Sequence, residues 1–167
     1  MAEKEKIFSG AMKYGGIFSF KDFYKFSYGW LTEETGLDIS EKTYSEKLAG
    51  NAKEITVEWA CSKKITDYFK FDAVIKFEVS GLTEVEITQG GNKVKSNKGV
   101  IKTAASGILV RDYDGKFEAS AFKKFLRGIY EKWVIPSRLE QMEDMISGKL
   151  NEFLEQAKAY LDLEGRK

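Results

Sequence analysis

The clearest signal in the chain is an alternation of apolar and polar positions through its middle third. In "EITVEWAC", Ile55, Val57, Trp59 and Cys61 alternate with Glu54, Thr56, Glu58 and Ala60, the period of a strand with one covered face. In "YFKFDAVIKFEV" the inward series is Phe69, Phe71, Ala73, Ile75, Phe77 and Val79, set against Lys70, Asp72, Lys76 and Glu78, with Val74 the one apolar exception. Turn signals at Gly50-Asn51, Ser80-Gly81, Gly90-Gly91-Asn92, Asn97-Lys98-Gly99 and Asp114-Gly115 divide the region from about Glu41 to Tyr113. Connections this short favour an antiparallel meander, since parallel strands need long crossovers. The spacing predicts five or six strands, with the count open between Thr83 and Lys102.

Helical periodicity flanks this region. "IFSFKDFYKFSYGW", Ile17 to Trp30, holds seven aromatic residues in fourteen positions. Projected at about 100° per residue, Phe20, Phe23, Tyr24, Tyr28, Trp30 and Leu31 share one broad face, with Lys21, Asp22, Lys25, Gly29, Thr32 and Glu33 opposite. Ser19 and Asp22 read as a capping pair and Gly36 as the residue that closes the far end. The wide aromatic face is read first as core, with a ligand-facing or partner-facing role for part of it as the alternative. Upstream, "KIFSGAMKY" suits a first strand ending before Gly15-Gly16.

From Glu118 to about Asp162 two apolar stripes follow one another: Phe122, Phe125, Leu126, Ile129 and Trp133, then Leu139, Met142, Ile146, Leu150, Phe153, Ala157 and Tyr160. In an unbroken helix the second would be displaced from the first by roughly 100°. Pro136, the single proline, lies between them and disfavours helical geometry at Ile135, so a kink there is expected to re-aim the second stripe toward the same core.

The order of elements resembles the helix-grip arrangement of the START and polyketide-cyclase-like superfamily. The resemblance is carried by "KIFSGAMKY", "SFKDFYKFSYGWL", the alternating runs from "KTYSEKL" to "ILVRDY", and "SRLEQMEDMISGKLNEFLEQAKAYL". It implies an α+β fold with a curved antiparallel sheet packed on a long C-terminal helix; the length of 167 residues suits one domain over residues 1–167, and the kink at Pro136 is the chain's own. It also implies a cavity between sheet and helix that holds lipids or other apolar molecules. Its walls would come from Trp59, Phe69, Phe71 and Phe77, facing Trp133, Met142 and Ile146. The same residues would equally make a solid core, which is the default at protein packing density.

Composition narrows the chemistry. The chain has 167 residues, 27 basic and 26 acidic, for a net charge of +1, so no global field draws it to nucleic acid or an anionic membrane. It contains no histidine, which removes Ser-His and Cys-His catalysis within one chain and the usual zinc sites. A lone cysteine, Cys61, allows no internal disulfide and fits a reducing compartment. The N-terminal "MAEKEKIFSG" lacks the apolar core of a signal peptide, and no apolar run reaches the roughly 18 residues of a spanning helix. A soluble cytoplasmic protein without a cofactor is the expectation.

Other constellations read more plainly as structure. Lys93, Lys95, Lys98, Lys102 and Arg111 form an acid-free basic segment, interpreted as a lysine-protected sheet edge in preference to a nucleic-acid surface, because it lacks stacking aromatics. "DYDGKFE", Asp112 to Glu118, does not align with a calcium loop, and "SAFK", Ser120 to Lys123, lacks the companions of serine acyl-transfer motifs. Glu140, Asp144, Glu152 and Glu155 face solvent, whereas Glu143 falls at the margin of the apolar stripe and is read as a salt-bridge or interface residue. The leading expectation is a non-enzymatic protein that binds a small apolar ligand or lipid between sheet and C-terminal helix. The rival is a structural or self-associating domain with a solid core, and an enzyme using Asp, Glu, Lys or Tyr comes third.

Overall fold

The computed structural model describes residues 3–65, 68–111, 125 and 136–165. Strand β1 (Glu3–Phe18) leads into helix α1 (Phe20–Trp30), which continues as a π-helical turn over Leu31–Thr35. Four strands follow: β2 (Asp38–Ala49), β3 (Ala52–Lys64), β4 (Phe69–Gln89) and β5 (Asn92–Arg111). Helix α2 spans Pro136–Gly165. The five described strands form one open antiparallel sheet in the order β1-β5-β4-β3-β2, so the architecture is α+β with β1 and β2 at the edges.

The local signals at α1 act as the sequence suggests. The Ser19 side chain accepts a hydrogen bond from the Asp22 amide at 3.3 Å, and the chain leaves the helix through Gly36 in the left-handed region at φ +70°. Lys63 donates to the Thr35 carbonyl at 3.0 Å, occupying one of the acceptors that a helix end exposes. The buried line of this helix is Phe20, Phe23, Ser27 and Leu31. Tyr28, assigned to the apolar face by projection, is 46 % exposed and lies to one side of that line.

Two of the turn signals do not turn the chain. β4 and β5 run unbroken past Ser80-Gly81 and Asn97-Gly99, and the reversal between them comes at Gly90-Gly91. Gly15-Gly16 likewise lies inside β1. At Ser80–Thr83, three steps along β4 are matched by two along β5, which is a bulge, with Gly81 at φ +62°. An added residue inverts the alternation beyond it. Phe69 to Val79 face inward at odd positions, and past the bulge the inward residue is Leu82, which pairs with Lys53.

The inward series of β3 and β4 is buried throughout, from Ile55 to Cys61 and from Phe69 to Val79. Helix α2 lays Ile146, Leu150, Phe153, Leu154, Ala157 and Leu161 onto this face, chiefly over β1 and β5. Glycines set the closeness of that seam. A Cβ at Gly107 would stand 2.8 Å from Leu150 Cδ1, and one at Gly10 2.9 Å from Leu154 Cδ1. Ser147 adds a polar tie by donating at 3.2 Å to the carbonyl of Ile7, the residue left unpaired by a bulge in edge strand β1.

The basic segment divides between two environments. Lys98 and Lys102 sit where β5 is paired on both sides, whereas Lys93 and Lys95 lie beyond the reach of β1, on a ribbon of β4 and β5 alone. Odd and even positions of a strand point to opposite faces, so the two pairs do not form one stripe. Of the first C-terminal stripe only Phe125 is described, and it is 64 % exposed. Phe122, Leu126, Ile129, Trp133, the Ile135 side of the expected kink, Asp112–Glu118 and Ser120–Lys123 lie outside the described residues. Among the described residues no helix is long and apolar enough to cross a membrane.

Candidate functional site

Among the described residues, the inner face of the sheet is longer than the helical layer upon it. At the end toward the β2–β3 turn, α1 flanks the face and leaves a cleft of about 960 Å³, within the range of small-molecule sites. Its floor and walls follow from strand register, because residues opposite one another in a pair share a face. On β2, Tyr44, Glu46 and Leu48 stand opposite Val57, Ile55 and Lys53 of β3, and Lys53 in turn stands opposite Leu82 of β4. Ile55 and Leu82 are buried and form an apolar floor with Phe20, while Tyr24 and Tyr44 close one side. Leu48 is 76 % exposed at the cleft and has apolar surface to offer a ligand.

Polar groups ring this floor. Thr83 and Glu84 line it from β4 beyond the bulge, Asn97 from β5 and Asn51 from the β2–β3 turn. Lys21 and Lys25, one turn apart on α1, stand on the opposite wall. Lys53 lies 3.9 Å from Glu46, an exposed pair of little energetic weight.

The tyrosines are fixed by carboxylates and rings. Tyr24 donates to Glu41 Oε1 at 2.7 Å, and Trp59 Nε1 donates to the same oxygen at 3.4 Å. Tyr24 packs edge-on against Trp59, with ring centroids 5.1 Å apart, and against Tyr44 at 6.3 Å. Tyr44 donates to Glu46 at 2.8 Å. Burial, reinforced by Glu41, raises the Tyr24 phenol above its ordinary value, and burial with Glu46 pushes Tyr44 up to about 12. Both hydroxyls therefore hold their protons at neutral pH and act as hydrogen-bond donors.

The residues expected to line a cavity lie elsewhere. Trp59 and Phe77 meet edge to face at 4.9 Å, wholly buried, beneath α1. Phe69 and Phe71 are buried toward the other end of β4, where Phe71 pairs with Leu109. Phe77 lies six positions beyond Phe71, about 20 Å along a strand, so these four rings are not one wall. Ile146 is buried in the α2 seam and Met142 is half-buried beside it; Trp133 lies outside the described residues. None of the six described residues lines the cleft. The residues that do were hidden in sequence because Leu48 belongs to a strand that reads as polar, and Leu82 joins the floor only through the bulge.

Other features offer less chemistry. A second hollow, about 480 Å³, is lined by Gly15, Gly16, Gly81 and Gly99 with Lys98, and presents few side chains to a ligand. The Cys61 thiol is buried and pushed up to about 12 by that burial, so it stays protonated and unreactive. Burial and the neighbouring Glu5 raise the Glu143 carboxyl, with Arg111 opposing; Arg111 itself pairs with Glu5 at 3.1 Å. No group of three or more metal-ligating side chains occurs among the described residues. Compared with family models, curated proteins and solved structures, the chain matches none.

Proposed function

We propose that this protein is a non-enzymatic binding protein for a small apolar ligand or lipid, and that the ligand occupies the cleft between α1 and the ends of β2, β3 and β4. The observation that carries this reading is the volume of about 960 Å³ over the apolar floor of Phe20, Ile55 and Leu82. A recess of this size, with Leu48 76 % exposed at its edge, favours occupation, since each methylene of a ligand removed from water contributes about 0.8 kcal/mol. The order of β1, α1, the meander and α2 also supports reading the chain as a helix-grip relative of the START and polyketide-cyclase-like proteins, with the ligand displaced toward α1. Against the α2 seam, Gly10 and Gly107 already receive Leu154 and Leu150, which leaves little space there.

The self-associating alternative rests on the aromatic face of α1 together with the long C-terminal helix. That face is largely engaged within the chain: Phe23 packs on Phe77, Phe26 stacks on Tyr160 at 4.4 Å, and Trp30 packs on Phe153. The test is uptake of the dye ANS and native mass spectrometry of the purified protein, each repeated on Ile55→Trp, which fills the floor. Uptake abolished by that substitution supports the reading. A wild-type protein that takes up no dye and carries no small molecule rules it out.

A further inference from the structure

Resting on the cleft being the binding site, we infer that its ligand is a free amphiphile with a small anionic head, a carboxylate or phosphate, held by Lys21 and Lys25 while its alkyl chain lies on Phe20, Ile55 and Leu82. The apolar floor alone would accept any greasy molecule; the rim makes the distinction. Of the three lysines that line the cleft, Lys53 faces Glu46 at 3.9 Å. Lys21 and Lys25 have no ion-pair or hydrogen-bond partner among the described residues. Four residues apart on one helix, they project from the same flank with Cβ atoms about 6 Å apart, a spacing one small anion can bridge.

The next residues along the helix face explain why the head and tail separate. Phe20 and Tyr24, one position before each lysine, turn their rings toward the sheet, so each lysine stands beside an apolar neighbour at the cleft wall. A lysine stem covers apolar surface while its ammonium stays in water, which places the charge at the mouth and the methylenes along the floor. Among the described residues Glu84 is the one acid of the lining without an ion-pair or hydrogen-bond partner, and it lies across the cleft on β4, so the positive wall and the negative wall are distinct. The apolar floor is recessed between α1 and β2, which suits a single molecule entering from solution better than contact with a flat bilayer.

Three probes of equal chain length, dodecanoate, dodecanol and dodecyltrimethylammonium, each kept below its micelle-forming concentration, separate the possibilities by titration calorimetry. Dodecyl phosphate is run beside dodecanoate to compare heads, and phosphatidylglycerol vesicles are run as a membrane source. We expect both anions to bind at least tenfold more tightly than dodecanol, and in the double variant Lys21→Gln/Lys25→Gln to bind no more tightly than dodecanol binds to that same variant. Equal binding of anion and alcohol, unchanged by the double variant, overturns the anionic head and leaves the apolar cleft standing. Preference for the cationic probe overturns it as well. Vesicle co-sedimentation that depends on Lys21 and Lys25 without binding of the free anions assigns the lysines to a membrane surface and overturns the free amphiphile. If no probe binds and Ile55→Trp changes nothing, the cleft itself is not a ligand site.

Discussion

One face of the sheet meets two different fates. Under α2 it is sealed, with Leu150 and Leu154 seated where Gly107 and Gly10 lack side chains. Past α1 no described helix covers the same face, which is floored by Ile55 and Leu82 and bordered by Leu48 and Lys53. The contrast is not one of hydrophobicity, since both stretches carry apolar residues. It lies in what covers them among the described residues: α2 lays a long apolar stripe on β1 and β5, while α1 is short and its Phe23 and Tyr24 pack on Phe77 and Trp59. Packing closes a face only where a complementary stripe reaches it.

The sealed region is most sensitive to substitution at the α2 seam. Phe153 is wholly buried against Trp30, so Phe153→Ala is expected to cost about 3–5 kcal/mol in urea unfolding. A much smaller loss would mean that the seam tolerates voids. Gly107→Val drives a branched side chain into Leu150 and is expected to cost about 1–3 kcal/mol by the same measurement. No change in midpoint would show that α2 is free to lift, and the distinction between sealed and open regions would collapse.

The bulge links the two regions and can be tested separately. Gly81→Val places a branched residue at φ +62°, with an expected cost of about 1–2 kcal/mol, and dye uptake should fall with it because Leu82 depends on that register. Retained uptake in a destabilised variant would detach the cleft from the bulge.

Cys61 reports on the sealed side through pH. Its thiol is raised from an ordinary value of 9.0 to about 12, so the unfolded chain releases the proton first and the folded chain keeps it. Stability from this group is complete below pH 9 and is lost as pH rises toward 12. Thiol reagents should leave the native protein unmodified at pH 8 and label it on unfolding, whereas rapid native labelling would contradict the burial. The smallest effect belongs to the open side. Leu48→Ala should change stability by less than about 0.5 kcal/mol while weakening dye uptake.

Much of this fold was readable before the structure. The every-second-residue pattern at Ile55–Cys61 and Phe69–Val79 specifies strands and their inner face, because a strand cannot present successive residues to one side. Ser19 and Gly36 mark the helix limits through hydrogen bonding and backbone sterics that act within a few residues. Ser80-Gly81 and Asn97-Gly99 misled because the same residue types serve turns and bulges, and only pairing with neighbouring strands selects between them. The cleft was invisible for a related reason: Phe20, Leu48, Ile55 and Leu82 come from four elements.

Local patterning therefore determined which segments are strands or helices and which side of each is apolar, since those preferences are properties of a few adjacent residues. Strand order, the register shift at Gly81 and the lateral reach of each helix were decided only in the tertiary structure. They depend on contacts between distant segments, and those contacts alone determine where one sheet face is filled and where it is left open.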